Sequence, residues 1–342
     1  MNYLNKLGIV ILLLLLLTSC TSKKKEIYFY HWNTNFQLSA TKQALLDTLK
    51  SDKIYTKFFD VTYVGGGESL PKATLQIEDK EILGTKELVP VVYITNEVFK
   101  NMKNSTEVEQ LARNISDKIG RLLAFYELKV NELQFDCDWS MATRANYFLF
   151  LEAIKQQASY AEIGNPKLSA TIRLHQVKYK EKTGIPPVDR GVIMFYNVGE
   201  VTSLEETNSI LNLKTVDTYV SFLAEYPLDY DIAVPLFSWA VVFNQGKLRQ
   251  LITKMDLASL QQLQKEGNYY NADEGGVYVG DSYLYEDDKV RYETVDAESL
   301  AALASRIKKY AAQDFNLIYY HINSKVSDNF SAKDIQQLSD KF

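Results

Sequence analysis

Asp136 and Asp138 stand two residues apart in the run LQFDCDW, residues 133–139. On a strand, residues i and i+2 point to one face, so the two carboxyl groups share it. Two carboxylates that close do not both ionise cheaply, and one pKa rises unless a cation or donor intervenes. Acids with separated pKa values suit general acid and base work, and glycoside cleavage is built on such a pair. The same pair also suits a structural task, capping the helix that follows or binding Arg144 or backbone amides. At the level of these residues both readings stay open.

The other scarce side chains fall at comparable places. His31 and Trp32 end the run EIYFYHW, Trp139 follows the two acids, and His175 ends KLSATIRLHQ. Tyr196 and Asn197 lie near the end of GVIMFYNV, Trp239 lies within DIAVPLFSWAVVF, and His321 ends NLIYYHI. The three histidines sit on the first, fifth and eighth of the β-type runs without any short ligand spacing, so no metal site and no cofactor is expected.

These residues need elements to position them. β-type runs cover 26–32, 54–64, 88–95, 133–139, 167–176, 191–198, 231–243 and 316–322. The seventh is longer than a strand needs, which predicts that part of it is loop. Helical patterns lie between most of the runs: from an N-cap at Ser39 to Lys50, with Ala44, Leu45 and Leu49 facing inward, then from Ser105 to Leu128 and from Ala142 to Ala158. Helical periodicity returns between Leu204 and Ala224 and from Ala297 to Ala312. Eight apolar strands alternating with helices predict a (β/α)8 TIM barrel occupying 26–342 as one domain. A Tyr-rich insertion at about 244–294 separates strand seven from the last helix. The rival, an open doubly wound sheet, lacks a Gly-rich phosphate turn after the first strand. In a barrel the carboxyl ends of the strands form one rim, so the scarce residues are expected to share one site.

The ends of the chain carry a second signal. Lys6, an apolar run from Ile9 to Leu17, and Leu17-Thr18-Ser19-Cys20 read as a lipoprotein signal peptide over 1–19 with lipid on Cys20. The apolar run is too short to span a bilayer core, which takes about 20 residues. Residues 20–25 are then a tether, and the rest a domain outside the cytoplasm in the cell envelope, attached to a membrane through that lipid. With Cys20 lipidated, Cys137 has no disulfide partner. A net charge of −5 and no basic stripe argue against nucleic acid. Tyrosine is the unusual count, 23 of them. Rings serve strand packing, and they also stack on apolar sugar faces.

Phe135-Asp136-Cys137-Asp138-Trp139 resembles the fourth-strand signature of family 18 glycoside hydrolases, Asp-x-x-Asp-x-Asp-x-Glu. Two of the four acids match; Leu133 stands at the first, and Ser140 stands where the family has its proton donor. The resemblance implies a glycosidase-like barrel in which Asp136 and Asp138 position a substrate acetamido group. Ser140 closes the family's usual route, because a serine does not protonate a glycosidic oxygen near neutral pH. The chain is also similar to an uncharacterised family of bacterial barrel proteins, through Tyr30-His31-Trp32, Gln134 to Asp138, Leu168 to Thr171 and Val192 to Tyr196.

Two functions follow as expectations. The first is a carbohydrate-active barrel, either a hydrolase or a relative that only binds glycan. Asp136 or Asp138 acts there as base or stabiliser, His175 and Tyr196 orient the substrate, and Trp32, Trp139 and Trp239 stack on sugar. Its proton donor must come from elsewhere, Glu200 first and Asp60 second. The other is a noncatalytic envelope protein that docks a protein partner through Tyr269, Tyr270, Tyr278, Tyr283 and Tyr285 of the insertion.

Overall fold

The computed structural model describes residues 25–342 apart from 67, 79, 84, 85, 254 and 256. The expected signal peptide, Cys20 and all but the last residue of the tether lie outside the described residues. Eight strands form the framework: β1 (Ile27–His31), β2 (Lys53–Gly65), β3 (Glu87–Ile94), β4 (Glu132–Asp136), β5 (Lys167–Arg173), β6 (Arg190–Met194), β7 (Tyr230–Pro235) and β8 (Leu317–Tyr320). Each pairs in parallel with the next, and β8 pairs with β1, so the sheet closes into a barrel. The expected (β/α)8 architecture is the observed one. Strands covered on both sides are apolar nearly throughout, as β3 (ELVPVVYI) illustrates with every residue from Leu88 to Val92 buried. The segment after β2 folds back as Glu68–Lys72, antiparallel to the end of β2.

Helices cover the outside. In α1 (Ala40–Thr48) the Ser39 hydroxyl accepts from the Lys42 N–H at 3.3 Å, the expected N-cap. Of the expected inner face, Leu49 is buried and Leu45 half-buried, but Ala44 is exposed, and Lys42 and Leu46 are buried as well. Lys42 tolerates that position because its amine reaches the Ser327 hydroxyl at 2.5 Å and Asp328 at 2.7 Å. Next come α2 (Ser105–Tyr126), capped by Asn104, α3 (Arg144–Lys155), α4 (Ala297–Tyr310) and α5 (Ala332–Ser339). No helix among the described residues is long and apolar enough to cross a membrane. Cys137 is a free, buried thiol.

Two segments depart from the reading of the sequence. The long seventh run contains the expected loop, at 236–238, but a second strand follows it. Pro235, which has no N–H to continue a ladder, ends β7, and Trp239–Asn244 opens a five-stranded antiparallel sheet. The insertion therefore begins at Trp239. Its sheet has its own core around Ala240, Val242, Ile252, Leu284 and Val290. The segment 204–224 is helical only at Leu213–Asp217 and in the 3₁₀ turn Val220–Glu225. The loop before it is gathered by Glu206, which accepts from Asn212 Nδ2 and from the Thr207 and Asn208 N–H groups. Gly199 allows this closure, since a Cβ there would lie 2.5 Å from Glu206 Oε2 and 2.8 Å from Ser209 Cα.

Candidate functional site at the barrel mouth

Alternation along the strands decides which side chains enter the barrel. On β1 the inward set is Tyr28, Tyr30 and then Trp32; on β4 it is Glu132, Gln134, Asp136 and then Asp138; on β5 it is Ser169, Thr171 and Arg173. Low in the barrel, Glu132 accepts from Lys53 Nζ at 2.9 Å, from the Tyr55 hydroxyl at 3.1 Å and from the Ser169 hydroxyl at 2.7 Å. One layer higher, the Tyr30 hydroxyl donates to Gln134 Oε1 at 2.6 Å, and Gln134 Nε2 donates to Ser169 Oγ at 3.3 Å. These buried polar groups satisfy one another and fix the rotamers beneath the mouth.

At the carboxyl end of the strands the polar wall is charged. Asp136 Oδ1 accepts from the Thr171 hydroxyl at 2.6 Å. Asp138 is clamped by Arg173 in a two-pronged pair, Nε to Oδ1 at 2.5 Å and Nη2 to Oδ2 at 2.8 Å. Burial, and after it the charge of Asp138, push the Asp136 carboxyl up to about 6; the Thr171 bond and Arg173 hold it back. Tyr93 on β3 is raised to about 12 by burial and then by both aspartates. Lys57 pairs with Asp60 at 3.2 Å, and its ammonium lies 5.8 Å from the centre of the Trp32 ring.

Opposite these groups lies an aromatic floor centred on Tyr320. Its ring stacks on Tyr196 at 4.8 Å and meets Trp32 at 5.3 Å, Phe237 at 5.4 Å and Tyr30 at 5.6 Å. Trp239 joins the edge of this floor through Phe237, 5.6 Å away. Beside it a cavity of about 80 Å³ is lined by Arg173, His175, Met194, Tyr196, Asn197 and Tyr219. Asn197 adopts a left-handed backbone, φ 53°, and its Oδ1 is buried without a hydrogen-bond partner.

The structure thus brings Trp32, Asp136, Asp138, Tyr196, Asn197 and His175 to the mouth, with Trp239 at its margin. Four expected site residues are corrected. His31 is fully buried on the outer side of β1 against Phe36, ring centres 4.5 Å apart, because Trp32 takes the inward position next to it. Trp139 likewise points outward, stacks on Tyr147 of α3 at 5.2 Å and donates Nε1–H to the Thr183 carbonyl, so its faces are closed to a ligand. His321 follows the inward Tyr320 and turns away from the mouth; burial lowers both it and His31 to about 4. Glu200, expected as a proton donor, lies on an exposed loop where the Thr202 hydroxyl and N–H bond to its carboxylate. Those bonds lower its pKa, opposite to what a donor near neutral pH needs.

Arg173, Thr171, Tyr93, Lys57 and Tyr320 are mouth residues that the reading of the sequence passed over. Their signal was present as period two: Lys167, Ser169, Thr171 and Arg173 are polar at alternate positions of a strand whose other residues are apolar. No group of three or more His, Cys, Asp or Glu side chains able to hold a metal occurs among the described residues.

No family model matches the chain, and no curated protein matches it. Solved structures do. The spore cortex-lytic enzyme SleL of Bacillus megaterium aligns over 93% of this chain and 74% of its own, with 13% identity and a TM-score of 0.56. A family 18 chitinase of Cycas revoluta, determined in complex with (GlcNAc)3, aligns over 92% and 99% at 11% identity and a TM-score of 0.51. The chitinase-like agglutinin of Robinia pseudoacacia aligns over 90% and 98% at 12% identity and 0.52. At such identities the likeness is one of fold: this chain has the closed eight-stranded parallel barrel of chitinase-like proteins.

Proposed function

We propose that this chain binds carbohydrate at the carboxyl end of its barrel and acts in the cell envelope, carried there as a lipoprotein on Cys20. The observation that carries the reading is the juxtaposition of an aromatic floor, Trp32, Tyr196 and Tyr320, with a wall of fixed polar groups, Asp136, Thr171 and the Asp138–Arg173 pair. Pyranose rings present an apolar face and a hydroxyl edge, and a site with one wall of each kind matches both. The barrel likeness to SleL and to a chitinase bound to (GlcNAc)3 favours a β-linked N-acetylhexosamine polymer. Ser140 follows Asp138 beyond the end of β4, its hydroxyl 3.3 Å from that of Thr143, and a serine there gives the family 18 proton donor no counterpart.

Titration calorimetry of the full chain with chitotetraose tests this reading. Saturable binding is expected, weakened at least tenfold by Asp138→Asn, which leaves Arg173 without its carboxylate partner. Binding that is absent, or indifferent to Asp138→Asn, contradicts it. Partition into a detergent phase, abolished by Cys20→Ala, tests the anchor. A second reading rests on Tyr278 and Tyr285, 69% and 53% exposed on and beside the small hairpin, as a protein-docking face. Deletion of 246–291 then abolishes capture of an envelope partner while chitotetraose binding persists.

A further inference from the structure

Asp60 enters the mouth through an irregularity in β2. The strand keeps even register with β3 as far as Lys57, opposite Val91, and then slips, so that Phe59 lies opposite Val92 and Asp60 opposite Tyr93. Without the slip, alternation from the inward Lys57 would send residue 60 to the outside of the barrel. With Phe58 as the extra residue, Phe59 turns outward under α2 and Asp60 turns inward, the re-aiming that bulges produce. Tyr93 in turn lies opposite Asp136 on β4. Asp60, Tyr93 and Asp136 therefore form one row across three neighbouring strands. The charges of Asp136, Arg173 and Asp60 all act on the Tyr320 hydroxyl, which places them around one space.

The two acids in this row have unlike partners. Asp60 Oδ2 is paired with Lys57, while its Oδ1 is buried with no hydrogen-bond partner. Asp136 has no cation of its own, since Arg173 is spent on Asp138. Two strand spacings of about 4.8 Å set the Cα atoms of Asp60 and Asp136 roughly 10 Å apart along the wall, and both side chains lean inward. The carboxyl separation then falls near the ~6.5–9.5 Å that leaves room for a water beside a glycosidic bond.

Building on the carbohydrate reading, we infer that Asp60 and Asp136 are the reacting acids of a hydrolase that inverts the anomeric carbon, replacing the route closed by Ser140. Asp136 gives its proton to the leaving glycosidic oxygen as the bond from that oxygen to the anomeric carbon breaks. A water held at the accessible Oδ2 edge of Asp60, beside Lys57, attacks the opposite face of the anomeric carbon, and Asp60 takes its proton. Solvent then restores a proton to Asp136 and removes one from Asp60; one water is consumed and two hydroxyl groups are formed. The raised pKa of Asp136 fits the donor, and the Lys57 pair fits the base.

The test follows chitotetraose cleavage by the full chain with proton NMR, with calorimetry on the same samples. New reducing ends are expected first as the α-anomer. Asp60→Asn and Asp136→Asn should each lower turnover by about 10²–10⁴-fold, a loss far larger than any accompanying loss of chitotetraose affinity. Thr171→Val, which removes a bond favouring the charged form of Asp136, should move the alkaline limb of kcat/KM to higher pH. Binding without cleavage, a β-anomer released first, an unmoved limb, or turnover that survives either Asn variant overturns the inference while the binding reading stands. Absence of binding by the unmodified chain overturns both.

Discussion

The barrel mouth and the inserted sheet both hold paired charges, but they hold them differently. In the insertion, Arg291 and Glu293 are sealed from solvent, 1% and 0% exposed, and every oxygen of the acid is used. Glu293 Oε1 accepts from Arg291, and Oε2 accepts from the Ser209 N–H and hydroxyl, the Ile210 N–H and Trp239 Nε1–H. Arg291 also donates to the carbonyls of Val201 and Ser203. This cluster fastens the loop after β6 to the inserted sheet. In the mouth, Asp138 and Arg173 stay 42% and 22% exposed, Asp60 keeps an unpartnered oxygen, and Asp136 is pushed toward its neutral form. Charge that is fully satisfied serves structure; charge left incomplete around an open space is available to a ligand.

Four outcomes break or sharpen this contrast. Glu293→Ala strands a buried guanidinium, so it should cost about 3–5 kcal/mol in urea unfolding; a loss below about 1 kcal/mol would erase the structural half of the comparison. Acidification comes next. His31 and His321, lowered to about 4, stay neutral in the folded chain while the unfolded chain takes up protons below 6.5, so stability falls as pH drops through that window. Asp136 works in the opposite sense: its folded pKa of about 6 exceeds its ordinary 3.8, so its contribution is present at low pH and lost as pH rises through 6. The net change from pH 7 to pH 5 should be a loss on the order of 2 kcal/mol, and Asp136→Asn should deepen it. Trp32→Ala, which removes one ring of the floor, should weaken chitotetraose binding about tenfold, or about 1.4 kcal/mol, with little change in melting temperature. Smallest is the stability cost of Asp138→Asn, less than about 1 kcal/mol because solvent screens the pair, even though the same change is expected to impair binding.

Much of the architecture was legible in the chain itself, because strands covered on both faces must be apolar and helices between them must carry stripes. The acids at 136 and 138 were legible for the same reason, two polar residues two apart in an apolar run. What alternation forbids was overlooked: His31 and Trp32, or Asp138 and Trp139, are neighbours and cannot both face the lumen. The cation for Asp138 comes from the adjoining strand, so no local pattern announces Arg173. Nor does LFSWA at 236–240 reveal that the chain leaves one sheet for another. Asp60 is the clearest case: a one-residue slip against β3 decides which side of the wall it faces, and register between strands is not written in either strand alone.

The central claim is that the rim of the barrel, and not the Tyr-rich insertion, is where ligand binds. A crystal structure of the full chain soaked in chitotetraose tests it most directly. The account predicts a pyranose ring lying against Trp32 or Tyr320 with a polar group at about 3 Å from Asp136 or Asp138. Sugar seated only on the inserted sheet, or a mouth that stays empty at saturating ligand, would contradict it.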